Sequence, residues 1–231
     1  MSDNMENTAR HVALIMDGNG RWAKAHGYGR LRGHQEGVNS LRDVVRTAAD
    51  SGVEYLTVYA FSVENWGRPA QEVQGLMELL ATTIVAEAEP LAEQGVRLSF
   101  IGEQTELPLD LQQKMLAVSQ IAIHNIRLQL VVALNYGARE DIVRAVREIV
   151  DQGVSQVTYQ TVAAHLSTHD MPEVDLLIRT SGEQRLSNFL LWELSYSEIY
   201  FTDILWPDFR GAQFTEALQW FAGRERRFGK L

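Results

Sequence analysis

Cysteine is absent from the 231 residues, which removes disulfides, thiolate nucleophiles, zinc–thiolate sites and iron–sulfur clusters together. Proline is scarce, with five in the chain, and no Pro/Gly/Ser-rich stretch, repeat or low-complexity segment divides it. No run of eighteen mostly apolar residues occurs, so a membrane-spanning helix is not expected. The first ten residues, Met1 to Arg10, are polar and lack the apolar centre of a secretory signal, so a cytoplasmic location is expected. Basic residues are in deficit, 21 against 30 acidic, for a formal charge of −9. That balance argues against a whole-molecule nucleic-acid binder.

The basic residues that do exist are clustered. Residues 10–34 carry Arg10, Arg21, Lys24, Arg30 and Arg32 against the single acid Asp17. Residues 70–113 carry eight acids and one base, Arg97. Local positive segments in an acidic chain suit a pocket for a small anion better than a long polyanion.

With 45% hydrophobic residues the chain can bury a sizeable core. At roughly 150 residues per domain, its length favours one domain, expected over 11–231 behind a flexible tail of residues 1–10. Apolar runs of strand length stand at His11–Met16, Val53–Ala60, Val96–Ile101, Leu128–Leu134 and Val174–Ile178, with a shorter sixth at Ile199–Phe201. Their near-continuous apolar character predicts strands covered on both faces. Between them lie helical seams: Val38, Leu41, Val44, Val45 and Ala48; Val73 through Leu91; Leu111, Met115, Val118 and Ala122; Ile142, Val143, Val146 and Ile149. Thr158 is placed to cap a short helix, and Phe214 to Arg227 predicts the last one. The alternation predicts an α/β fold with a central, mostly parallel six-stranded sheet flanked by helices. In such sheets ligands sit beyond the carboxyl ends of the strands.

Three polar clusters follow strands. The first is Asp17-Gly18-Asn19-Gly20-Arg21-Trp22, where glycines one residue apart let backbone N–H groups approach an anion. Asp17 would repel that anion unless a cation bridged them, and Mg²⁺ typically takes one or two carboxylates plus phosphate oxygens. Arg21, Arg30 and His34 can add donors. Taken alone the cluster also reads as a glycine turn with an Asp cap, and it is neither a dinucleotide fingerprint nor a P-loop. The second cluster, Phe61 to Pro69, puts Ser62, Asn65, Trp66 and Arg68 at a strand end, as a half-apolar, half-polar wall or as a loop covering the core. The third, Arg179 to Phe189, offers Arg179, Arg185 and Ser187 as a second anion clamp or as a solvated loop. Glu198 lies among aromatics, either on the polar side of an edge strand or as a second metal carboxylate. His11, His26, His124, His165 and His169 have no metal-ligand spacing and read as structural.

Together these stretches resemble the cis-prenyltransferases, the undecaprenyl diphosphate synthase family. The resemblance runs through HVALIMDGNGRWAKAHG, YAFSVENWGRP, ALNYGARED, LIRTSGEQRLSNFLLWELSYSEIYF, WPDF and RERRFG. It implies prenyl transfer dependent on Mg²⁺, a homodimer, and an elongated hydrophobic tunnel for a growing chain. It places an allylic diphosphate, farnesyl diphosphate, on Gly18, Asn19, Gly20, Arg21 and Trp22, with Arg30 and His34. Isopentenyl diphosphate falls to Arg179, Arg185 and Ser187. Asp17 becomes the catalytic metal carboxylate, completed by Glu198 from a partner subunit, and Ser62, Asn65, Trp66 and Arg68 the loop ordered over the substrates, with Asn65 close to the chemistry. Arg227-Phe228-Gly229 matches a family ending that reaches the neighbouring site. The implied product is undecaprenyl diphosphate, a carrier lipid for cell-wall peptidoglycan synthesis, and an apolar product implies loose peripheral contact with a membrane. Gln184 stands where some members have His, so no proton transfer is assigned there. A non-catalytic polyprenyl-binding subunit would have lost the Asp or Arg positions, and all are present. A phosphohydrolase with Asp17 as nucleophile would need a carboxylate where Asn19 stands.

Overall fold

The structure is a computed structural model that describes residues 8–121 and 126–225. Ala122, His124 and the Arg227-Phe228-Gly229 ending lie outside the described residues, as does most of the expected N-terminal tail. Among the described residues, six strands form one sheet in the order β3-β4-β2-β1-β5-β6, with every pairing parallel. They are β1 (His11–Ile15), β2 (Tyr55–Ser62), β3 (Val96–Ile101), β4 (Leu128–Tyr136), β5 (Leu176–Arg179) and β6 (Glu198–Phe201). All six fall on the apolar runs, because a parallel strand covered on both faces must be apolar along its whole length.

Alternate residues serve opposite faces. Val12 and Leu14 of β1 join one core with residues of α2 (Arg30–Asp50), α3 (Ala70–Glu93), α4 (Leu109–Ser119) and α7 (Gly211–Ala222). Ala13 and Ile15 join the other, with Ala138 of α5 (Ala138–Asp151) and the aromatic segment around Phe189. Thr158 caps α6 (Tyr159–Ala163) by accepting from the Thr161 N–H at 3.2 Å. No helix among the described residues is long and apolar enough to cross a membrane.

One seam differs from expectation. On α5 the buried residues are Ala138, Asp141, Ala145 and Ile149, while Val143 and Val146 face outward, 48% and 44% exposed. Of the expected seam Ile149 is buried and Ile142 half-buried, so apolarity alone set the face only in part. Asp141 can be buried because the Ser167 N–H and hydroxyl donate to it, at 3.1 and 2.7 Å, and Arg144 neutralises it. His11 is structural as expected, bridging the Pro172 carbonyl and the Thr57 hydroxyl at 2.8 Å each; burial pulls it down to about 4.

The sheet order fixes where a ligand can sit. The chain leaves β1 toward β2 on one side and leaves β5 toward β6 on the other, so the topological switch point lies between β1 and β5. Ile15 and Arg179 are register partners at the carboxyl ends of those two strands. The loops carrying Asp17 and Arg185 therefore start side by side.

Candidate active site

Gly18 opens the first loop at φ 112°, a conformation L side chains rarely adopt, and a Cβ there would meet Leu205 at 3.0 Å. It starts α1 (Asn19–Ala25), a seven-residue helix beginning two residues before Arg21. The Asp17 N–H donates to the Thr180 hydroxyl at 2.9 Å, and that hydroxyl donates back to the Asp17 carbonyl at 2.7 Å. The first loop is thus tied directly to the residue that follows Arg179.

Arg179 is the centre of the second loop, its side chain 3% exposed. It donates to the Arg185 carbonyl, to the Ser187 hydroxyl at 2.8 Å and to the Asp17 carboxylate at 3.1 Å. Its Nε is buried without a partner. Arg21 lies 3.6 Å from the same carboxylate and also holds Ser181 and Glu183, while Arg185 pairs with Glu183. Asp17 and the second arginine clamp therefore meet at one point, although 162 residues separate Asp17 from Arg179.

The third loop follows β2. Ser62 caps a 3₁₀ turn (Val63–Gly67), and the Asn65 side chain returns the bond by accepting the Ser62 N–H at 3.1 Å. Trp66 donates to Asn135 at 2.8 Å and packs edge-on against Phe61. Arg68 and Arg30 converge on Glu72, at 3.2 and 3.0 Å.

Beneath the three loops lies a cavity of about 860 Å³. Its mouth carries Asp17, Asn19, His34, Ser62, Asn65, Arg68, Arg179, Arg185 and Ser187. Its depth is apolar, walled by Val38 and Leu41 of α2, Leu80 and Ile84 of α3, and Val58, Leu98 and Leu130 of the sheet. Ala60 also lines it, whereas Met77 and Ala88 of α3 are buried in the core. His34 is pulled down to about 4, first by burial and then by the charges of Arg68 and Arg30, so it is neutral at neutral pH. Asn19 donates toward His34 at 3.3 Å, and its Oδ1 is buried with no partner.

Some expected site residues lie elsewhere. Gly20, Arg21 and Arg30 flank a shallow basic depression beside the mouth, with Lys24. Trp22 stacks on His26 and donates to Asp208 at 2.8 Å. Glu198 does not approach Asp17 within one chain. It pairs in register with Leu176, three residues below Arg179, or about 10 Å down the strand, and it binds Arg224 at 3.0 Å. No group of three His, Asp or Glu side chains placed to hold a metal occurs among the described residues.

The residues that sequence reading missed are connectors. Glu64 lines the cavity, and its carboxyl sits below the usual range: burial opposes this, but hydrogen bonds from its own backbone, Ser62 and Asn188 outweigh it. Asn135 and Asn188 sit at φ 48° and 60°, the left-handed region that Asn tolerates better than most residues. That tolerance was the one available signal.

Comparison with known proteins decides the family. A family model described as putative undecaprenyl diphosphate synthase matches residues 15–229. The chain belongs to this family of prenyltransferases. Ditrans,polycis-undecaprenyl-diphosphate synthase ((2E,6E)-farnesyl-diphosphate specific) of Escherichia coli K12 is 49% identical over 95% of this chain and 89% of its own length. The enzyme of the same description from Haemophilus ducreyi is 46% identical over 96% of this chain and 95% of its own. Among solved structures, lavandulyl diphosphate synthase from Lavandula x intermedia, in complex with dimethylallyl diphosphate, superposes with TM-score 0.93 at 37% identity, covering 97% of this chain and 100% of that one. A probable undecaprenyl diphosphate synthase from Campylobacter jejuni gives 0.83 at 31%, with the same coverages.

Proposed function

We propose that the protein condenses isopentenyl diphosphate repeatedly onto farnesyl diphosphate and releases undecaprenyl diphosphate, a lipid carrier for peptidoglycan synthesis. The observation that carries this reading is the convergence of two anion-holding loops, around Asp17 and Arg179, on one mouth above a deep apolar cavity.

The backbone N–H groups of Gly18 to Arg21, with Arg21, Arg30 and neutral His34, bind the allylic diphosphate. Arg179, Arg185 and Ser187 bind isopentenyl diphosphate. Holding two diphosphates together requires neutralisation, and the cationic side chains supply much of it. Asp17 fits a Mg²⁺ site, since its carboxylate opens on the mouth where the diphosphates would supply further oxygens. When bound there, the ion would neutralise charge developing on the diphosphate. Glu198 joins that site only from a second subunit of a homodimer, and the outward Val143, Val146 and Val150 of α5 offer an apolar face for one.

In the reaction C4 of isopentenyl diphosphate bonds to C1 of the allylic chain. The C1–O bond breaks, and its electron pair leaves with the diphosphate. C2 of the added unit then gives up a proton to an oxygen of the departing diphosphate, and the cis double bond forms. Arginine donors aimed at the leaving group stabilise its developing charge. Asn65, whose amide lines the mouth, orients the reacting partners, and close placement supplies much of the remaining advantage. The growing chain descends between α2 and α3, and its apolar product explains a loose contact with the membrane.

The test is purified protein with Mg²⁺, farnesyl diphosphate and labelled isopentenyl diphosphate, with dephosphorylated products separated by thin-layer chromatography. A ladder ending near about eleven units, the length in the relatives' name, is expected. Diphosphate hydrolysis without condensation would overturn the assignment.

A further inference from the structure

Asn188 stands at φ 60°, directly after Ser187 at φ 50°, in a loop where Leu190 is also left-handed. Three consecutive-loop residues without glycine in that region cost energy and persist only when their surroundings hold them. Both ends of the Asn188 side chain are engaged. Its Nδ2 donates to Glu64 at 3.1 Å and to Glu140 at 2.9 Å, and its Oδ1 accepts the Arg139 N–H at 3.0 Å. Its carbonyl accepts the Ala138 N–H at 2.8 Å. Helix α5 has no side-chain cap of its own at Gly137, so Asn188 caps it from another segment. A Cβ at Gly137 would stand 2.1 Å from the Glu140 carboxylate and 2.7 Å from the Asn188 amide, so a side chain there would push the ends of both away.

We infer that Asn188 is a positioning residue that locks the isopentenyl diphosphate clamp to the substrate loop, fixing Arg185 and Ser187 relative to Ser62–Arg68 through its bond to Glu64. The inference rests on the function proposed above. The Oδ1 and one Nδ2 bond anchor Asn188 on α5, at Arg139 and Glu140, and the other Nδ2 bond carries that position across the mouth to Glu64. A carboxylate in its place would keep the Arg139 anchor and lose both donor bonds.

The substitution Asn188→Asp makes that separation. Melting temperature should fall only slightly, because the Arg139 N–H keeps its acceptor and the new repulsion from Glu64 and Glu140 is between exposed groups. The KM for isopentenyl diphosphate should rise at least about tenfold, as expected when a hydrogen bond to a charged group is replaced by repulsion. The dissociation constant for isopentenyl diphosphate, measured by calorimetry, should rise with it. Adding Glu64→Gln to the Asn188→Asp chain restores a donor–acceptor pair of reversed sense across the mouth, leaving only Glu140 on the anchoring helix opposed, and should bring both constants part of the way back toward wild type. The same Glu64→Gln change in the wild-type chain should bring no such gain. Asn188→Gly, whose backbone suits φ 60°, should keep the fold and raise both constants as well. Wild-type constants in both Asn188 variants, or a Glu64→Gln effect that deepens the loss in the Asp background, would overturn the inference. If the wild-type protein binds isopentenyl diphosphate but never elongates a chain, the proposed reaction fails, and the calorimetric constants still decide the role of Asn188.

Discussion

The two loops proposed to hold anions reach the same mouth by opposite means. The loop after β1 takes its left-handed turn at a glycine, Gly18, and presents an arginine, Arg21, that is half exposed. The loop after β5 takes its left-handed residues mostly without glycine, at Ser181, Ser187, Asn188 and Leu190, and winds around an arginine that is almost wholly buried. The first loop is cheap to form and leaves its cation free to rearrange around a ligand. The second is strained, at about 1–3 kcal/mol per residue, and is held in shape by Arg179 donating into it from inside and by the bonds of Asn188 to α5. One arginine there is scaffold and binding group together.

The comparison breaks if the two arginines behave alike. Arg179→Met should therefore have the largest effect, with stability falling on the order of 3 kcal/mol from lost charge-assisted hydrogen bonds, whereas Arg21→Met should leave denaturant midpoints nearly unchanged. Equal midpoints in the two variants would show that Arg179 does not organise its loop. Asp17→Ala comes next: turnover should fall by about 10²–10³ or more, as when a group stabilising a developing charge is removed, while circular dichroism stays unchanged. Retained turnover would remove Asp17 from the metal and the chemistry.

Acidification sharpens the picture of the mouth. His11 and His34 are both pulled down to about 4 by burial, so between about pH 6.5 and 4 the unfolded chain binds the protons that the folded chain refuses. Stability is complete above about pH 6.5 and is lost as pH falls toward 4, by about 3 kcal/mol for each histidine. A His34→Asn chain should show a shallower loss in urea titrations across that range, and an unchanged slope would mean that His34 is solvated. The smallest effect is expected for Gly18→Ala, about 1–3 kcal/mol from a strained φ and a contact with Leu205. Stability within a few tenths of a kcal/mol of wild type would show that the first loop does not need its glycine.

Much of the fold was legible because the central strands are buried on both faces and so read as nearly unbroken apolar runs. The α5 seam was not, since Ala145 and Asp141 face inward through small size and hydrogen bonding, neither of which a hydrophobic pattern registers. Within the site, the residue types at Asp17, Arg179 and Arg185 advertised anion chemistry on their own. Glu64, Glu140 and Asn188 did not, because their meaning lies in one another and they stand 124 and 48 residues apart.

By itself the sequence determined which segments are strand, which loops end in glycine or arginine, and that cysteine chemistry has no part here. Periodicity and residue type are local, and so they survive in one dimension. Only the tertiary structure decided that β1 and β5 are neighbours at the switch point, that Arg179 turns inward to serve Asp17, and that Glu198 stays at the far end of its strand within a single chain. Those outcomes follow from the order of strands in the sheet, which is set by the packing of the whole chain rather than by any segment of it.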